Sequence, residues 1–120
     1  MHELAVCQGL IGEVERVAAL NGASEVTSVT VLIGPLSGVE IDLLQSAFPI
    51  ARAGSVAASA ELVVETGDIR VQCTSCGTQG AAAPNKLVCA ACGDWRVRVV
   101  AGDELLLKSV ELSRAAAPAN

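Results

Sequence analysis

The chain has 120 residues, 52% of them apolar, with Phe48 and Trp95 as its only aromatic residues, a size that fits one compact domain with a small attached module and excludes a multidomain enzyme. Eight basic residues against thirteen acidic ones give a net charge of -5, which removes the electrostatic term that dominates nucleic-acid affinity and so argues against nucleic acid as a partner. No apolar run approaches the roughly 20 residues of a membrane helix and no secretory pattern opens the chain, so a cytoplasmic protein with no membrane partner is expected.

Taken in chain order, the apolar positions Leu4, Cys7, Ile11, Val14 and Ala18 recur at helical steps from Glu3 to Leu20, and Asn21-Gly22 supplies a stop. Val26 to Ile33 is β-branched and alternating, with Val29, Val31 and Ile33 on one face, and Gly34-Pro35 ends that strand. Ser37 is the expected cap of a second helix with Ile41, Leu44 and Phe48 on its apolar stripe, Glu40 and Asp42 near its positive end, and Pro49 ending or kinking it. A loop of small residues over 53–59 leads to a strand at Glu61 to Glu65. Between Ile69 and Val100 the composition turns to Cys, Gly and short polar turns, too poor in large apolar side chains to support a core without metal. A last strand at Glu104 to Leu112 places Leu106, Val110 and Leu112 on one side and Ser109 and Glu111 on the other. Residues 114–120 read as a disordered tail.

Four of the five cysteines form two C-x-x-C pairs, Cys73/Cys76 and Cys89/Cys92, twelve residues apart and each followed by glycine. The two-residue gap lets both sulfurs of a pair face one ion, and four thiolates at a tetrahedral centre favour a closed, structural zinc site. Two local redox disulfides or a rubredoxin-like iron centre would use the same residues. Cys7 falls on the first helix's apolar stripe, so packing is the simpler reading than a soft metal ligand.

The single histidine is His2. Its imidazole, its backbone nitrogen and the amine of Met1 can close fused chelate rings on one ion, a planar nitrogen arrangement suited to Ni(II) or Cu(II), with a fourth ligand from the backbone or carboxylate of Glu3. Histidine at the second position is too bulky for the usual removal of Met1. Alone this is a short and unspecific motif.

The Met1-His2-Glu3 start, the segment Ile33-Gly34-Pro35-Leu36-Ser37-Gly38-Val39-Glu40, the spaced cysteine pairs and the closing Asp103 to Leu112 together resemble the nickel metallochaperone family of hydrogenase maturation, HypA/HybF, from residue 1 to about 112. The resemblance implies an α+β fold of two helices packed on a small three-stranded sheet, with a four-cysteine zinc-ribbon-like domain inserted before the last strand. It implies a nickel-binding domain over 1–68 and 101–113 and a zinc domain over 69–100. It implies Met1, His2 and Glu3 as nickel ligands with Glu40 as a candidate helper, and Cys73, Cys76, Cys89 and Cys92 as zinc ligands. Ni(II) is then transient cargo and Zn(II) structural. The implied partners are a maturation GTPase of the HypB type, the hydrogenase large-subunit precursor, urease maturation proteins and a second copy of the chain. Pro49 and the Gly/Ala-rich connector after Cys76 depart from the family pattern without touching a ligand. The rival readings are a zinc-ribbon interaction module and a thiol redox sensor, both without nickel. No nucleophile–base pair or phosphate-binding glycine loop points to an enzyme.

Overall fold

The computed structural model describes residues 2–114. Their elements run α1 (Glu3–Leu20), β1 (Glu25–Ile33), α2 (Ile41–Ala51), β2 (Glu61–Glu65), β3 (Ile69–Cys73), β4 (Gln79–Ala82), β5 (Val97–Ala101) and β6 (Leu105–Ser113). They form an α+β fold with two three-stranded sheets, ordered β2-β1-β6 and β4-β3-β5. By their contacts the residues divide into two compact units. The first comprises Met1–Val31, Val39–Val64 and Leu107–Asn120, and the second Leu32–Gly38 and Glu65–Leu106. No helix among the described residues is long and apolar enough to cross a membrane.

In the first unit α1 and α2 pack on each other. The buried stripe of α1 is Cys7, Leu10, Ile11, Val14 and Ala18, with Leu10 in place of the expected Leu4, which is 41% exposed. The helix stops as its sequence implies: Gly22 adopts a positive φ of 63°, and the Ala23 and Gly22 N–H groups donate back to the carbonyls of Ala18 and Ala19 at 2.9 and 3.2 Å, the paired bonds of a glycine-terminated helix. Val29 and Val31 of β1 alternate as expected, but Val26 is also fully buried. The face therefore slips by one residue near Thr27 and Ser28, where the Val26 N–H donates to Val56 rather than to a neighbouring strand.

Three expectations are corrected. Ser37 does not cap α2. Glu40 is the N-cap residue, while the Ser37 N–H closes a turn onto the Gly34 carbonyl at 3.1 Å. Pro49 does not end the helix, which runs on to Ala51. Its missing N–H falls in the last turn, where one bond is lost while Phe48 stays anchored in the core. In β6, Leu106 is 53% exposed and the exposed pair Lys108 and Ser109 interrupts the alternation, so Leu106 does not share the covered side of Val110 and Leu112. Arg114 donates to the Asn21 carbonyl at 3.2 Å. The rest of the tail expected to be disordered lies outside the described residues.

The second unit holds three strands in the stretch that the composition marks only as polar turns. β3 is central and antiparallel to both β4 and β5, and one face of it buries Ile69, Val71 and Cys73. Gly34 and Gly102 meet within this unit. The Gly34 N–H donates to the Glu104 carbonyl at 2.8 Å and the Leu36 N–H to the Gly102 carbonyl at 2.7 Å. A Cβ on Gly34 would stand 2.1 Å from the Gly102 oxygen, a backbone atom with no rotamer to escape through. Replacing Gly34 by Ala should therefore destabilise the chain by about 1–3 kcal/mol, the cost of overpacking. Gly12 lies inside α1 with nothing within 4 Å of an added Cβ, and Gly12→Ala should stabilise by roughly 0.5–1 kcal/mol. Urea denaturation of the two variants checks the opposite signs.

Candidate metal centre

Each cysteine pair forms the same small turn. In the first, the Cys73 N–H donates to the Thr78 carbonyl and the Gly77 N–H to the Cys73 carbonyl, both at 3.0 Å. The Ser75 and Cys76 N–H groups point at the Cys73 sulfur at 3.3 and 3.4 Å. In the second, the Cys89 N–H donates to Asp94 at 2.9 Å, the Gly93 N–H to Cys89 at 2.8 Å, and the Cys92 N–H to the Cys89 sulfur at 3.5 Å. Gly77 and Gly93 share a φ of 76°, a left-handed turn that a side chain disfavours. The N–H groups aimed at sulfur stabilise thiolates, because they place partial positive charge where negative charge resides.

The two turns bring all four sulfurs within 4.8 Å of one another. Across the pairs, Cys73 to Cys92 and Cys76 to Cys89 are each 3.6 Å apart. A tetrahedral ion with metal–sulfur bonds of 2.3 Å requires sulfur–sulfur edges of about 3.8 Å, so the donor set fits such an ion. All five cysteines are free thiols. Packed together, the four sulfurs differ in proton affinity. The Thr78 hydroxyl and N–H pull Cys76 down to about 6. The Asp94 N–H favours a Cys92 thiolate, but the Cys73 sulfur, desolvation and the remaining sulfurs outweigh it and push Cys92 up to about 12. This set shares out protons as one cluster, ready to lose them to a cation.

Polar residues outside the four ligands join the turns. The Ser75 hydroxyl donates to Asp94 Oδ2 at 2.5 Å, and Arg96 pairs with the same carboxylate at 2.9 Å. Arg96 and Ser75 together hold the Asp94 carboxyl well below the usual carboxylate range. Sequence reading offers no signal for this set, since short polar turns carry no diagnostic spacing. Trp95, next to these turns in the sequence, is 75% exposed.

At the other candidate site, His2 is exposed and is the N-cap residue of α1, and Met1 lies outside the described residues. Glu3 is largely covered, at 9% exposure. Its Oε2 accepts the N–H of Glu40 at 3.1 Å, which lowers the Glu3 carboxyl below its ordinary value. Glu3 thus satisfies one of the unpaired N–H groups at the start of α2, in place of the helix's own residues. The described residues contain one group of three or more His, Cys, Asp or Glu side chains within reach of an ion, the four cysteines. His2, Glu3 and Glu40 do not form another.

The comparisons with known proteins span nearly all of the chain. A family model described as hydrogenase/urease nickel incorporation, metallochaperone, matches residues 1–112. The chain belongs to the HypA family. HypA proteins are metallochaperone maturation factors and not enzymes. The chain is 46% identical over 112 residues to a hydrogenase maturation factor HypA of Nitrosospira multiformis, covering 93% of this chain and 97% of that one. It is 38% identical to the HypA of Aquifex aeolicus with the same coverage of 93% and 97%. Its fold matches the solution structure of the Ni metallochaperone HypA from Helicobacter pylori with a TM-score of 0.74 and 31% identity, over 96% of this chain and 100% of that one.

Cys7, the fifth thiol, is fully buried and directs its sulfur at the Leu44 carbonyl, 3.5 Å away. Burial, aided by the charge of Glu3, raises its thiol above the ordinary value, so it should be inert. Alkylation of the native chain after metal removal should add four groups by mass spectrometry, and the fifth only in denaturant. Modification of Cys7 at the rate of the other four would contradict the packing role.

Proposed function

We propose that the chain is a nickel metallochaperone that binds Ni(II) at Met1, His2 and Glu3 and delivers it during maturation of [NiFe]-hydrogenase, while Cys73, Cys76, Cys89 and Cys92 hold a structural Zn(II). The observation that carries this reading is the family match beginning at residue 1, because it takes in the one histidine of the chain. The sulfur separations support zinc, since four thiolates fill its tetrahedral shell and leave no open position.

A carrier must bind its cargo and also let it go. A chelate of terminal amine, backbone nitrogen and imidazole at an exposed end is accessible to an acceptor, whereas a closed sulfur cage is not. Because Glu3 already accepts the Glu40 N–H, its backbone nitrogen is the better nickel donor, and the carboxylate anchors the start of α1 beside α2. Glu40 keeps an exposed side chain and serves as the candidate helper. The proposed partners are a GTPase of the HypB type and the large-subunit precursor of the hydrogenase, with urease maturation proteins and a second copy of the chain as further ones. Trp95, exposed on the second unit, suits docking, tryptophan being enriched among residues that anchor interfaces. Two C-x-x-C pairs spaced for a metal rather than for disulfides suit the reducing cytoplasm. The zinc module is assigned to 69–100, inserted in a nickel-binding domain over 1–68 and 101–113.

The test is a Ni(II) titration of zinc-loaded, untagged protein beside His2→Ala. The wild type should bind nickel stoichiometrically, and the variant should lose that binding while keeping its zinc. Imidazole ligation and deprotonated backbone nitrogen release protons on binding, so nickel affinity should fall from neutral to mildly acidic buffer. Equal binding by both proteins, or an affinity indifferent to this change, would sink the terminal site.

A further inference from the structure

The two cysteine turns are each complete in themselves. Every bond described within a turn closes between its own residues, so nothing inside one turn dictates its distance from the other. The β3–β5 ladder aligns them only as far as Cys73 paired with Val97. Beyond that point the first turn is fastened by one backbone bond and by side chains. The Thr74 N–H and hydroxyl both donate to the Arg96 carbonyl, at 2.9 and 2.6 Å. The Ser75 hydroxyl donates to Asp94 Oδ2.

Asp94 touches both turns at once. Its backbone carbonyl accepts the Cys89 N–H of the second turn, and its carboxylate accepts the Ser75 hydroxyl of the first. The same carboxylate accepts the Arg96 N–H and Nε on Oδ1, at 2.9 and 3.2 Å, and the Arg96 Nη2 on Oδ2 at 2.9 Å. Four donors converge on one carboxylate that is 15% exposed. A lone surface ion pair contributes little, but a fork of arginine donors combined with a hydroxyl and a backbone N–H fixes orientation as well as charge.

Resting on the reading of the four cysteines as a zinc site, we propose that Ser75, Asp94 and Arg96, none of them a ligand, form a latch that presets the separation of the two cysteine turns. Asp94 is its positioning residue. The latch holds the sulfurs near tetrahedral spacing before the ion arrives. Release requires one turn to swing away from the other, and the latch opposes that motion. Partners beyond the ligands commonly shift metal affinity by about 10- to 100-fold.

The experiment compares full-length zinc-loaded wild type with Ser75→Ala, Asp94→Asn and the double variant. Zinc content per chain is measured first, then the rate of zinc transfer to excess chromophoric chelator, then the thiolate charge-transfer bands of the Co(II)-substituted proteins. The latch predicts one zinc per chain throughout and release accelerated about 10-fold in Asp94→Asn. It predicts altered Co(II) bands, and a double variant no faster than Asp94→Asn, because the two residues act through one contact. Ser75→Ala, a small change at an exposed position, should accelerate release by itself even if Asp94→Asn folds poorly. Release rates within twofold of wild type with unchanged Co(II) bands would overturn the latch and leave the zinc reading standing. A wild type that retains no zinc would overturn both, and the first measurement distinguishes the two failures.

Discussion

Four sulfurs that lie within 4.8 Å of one another cannot all be thiolates unless a cation sits among them, because each negative charge favours the protonated form of its neighbours. Much of the second unit follows from that constraint. Glycine is needed where each turn folds back on its cysteine, at Gly77 and Gly93. Backbone N–H groups are aimed at sulfur rather than at oxygen. A small sheet with one buried face, Ile69, Val71 and Cys73, supplies the platform from which the first turn projects. A core of this size is marginal without a staple, which is what an ion at the proposed zinc site would supply.

The two proposed metal sites divide the work by chemistry. A soft, closed, four-thiolate shell suits an ion that stays, and the nitrogen-rich open terminus suits an ion in transit. Copper would outcompete nickel for the terminal donors on affinity alone, so selectivity rests on metal supply and on which partner docks. The first unit supports the terminus through the bond from the Glu40 N–H to the Glu3 carboxylate. That bond sets where α1 begins relative to α2 and leaves His2 facing solvent.

Legibility in the sequence followed how local each signal was. The bounds of α1 and β2 stand where periodicity and glycine placed them, and the four cysteines converge as their spacing implies. The strands β3, β4 and β5 were harder to read: Gln79 to Ala82 has no β-branched residue, and β3 and β5 are short runs among cysteines and glycines whose pairing with each other spans the whole cysteine segment. Ser37 looked like a cap because a hydroxyl before an apolar run is a local cue. Glu3, 37 residues earlier in the chain, bonds the N-cap N–H of that helix instead. The Ser75–Asp94 contact spans 19 residues and has no sequence signature. The need for glycine at Gly34 is visible only once Gly102 lies against it.

If cargo and structural metal occupy different donors in one chain, X-ray absorption at the nickel and zinc edges of protein loaded with both ions will separate them. The expected result is a zinc shell of four sulfurs at about 2.3 Å and a nickel shell of nitrogen and oxygen without sulfur. Sulfur scattering in the nickel shell, or nitrogen replacing sulfur around zinc, would contradict it.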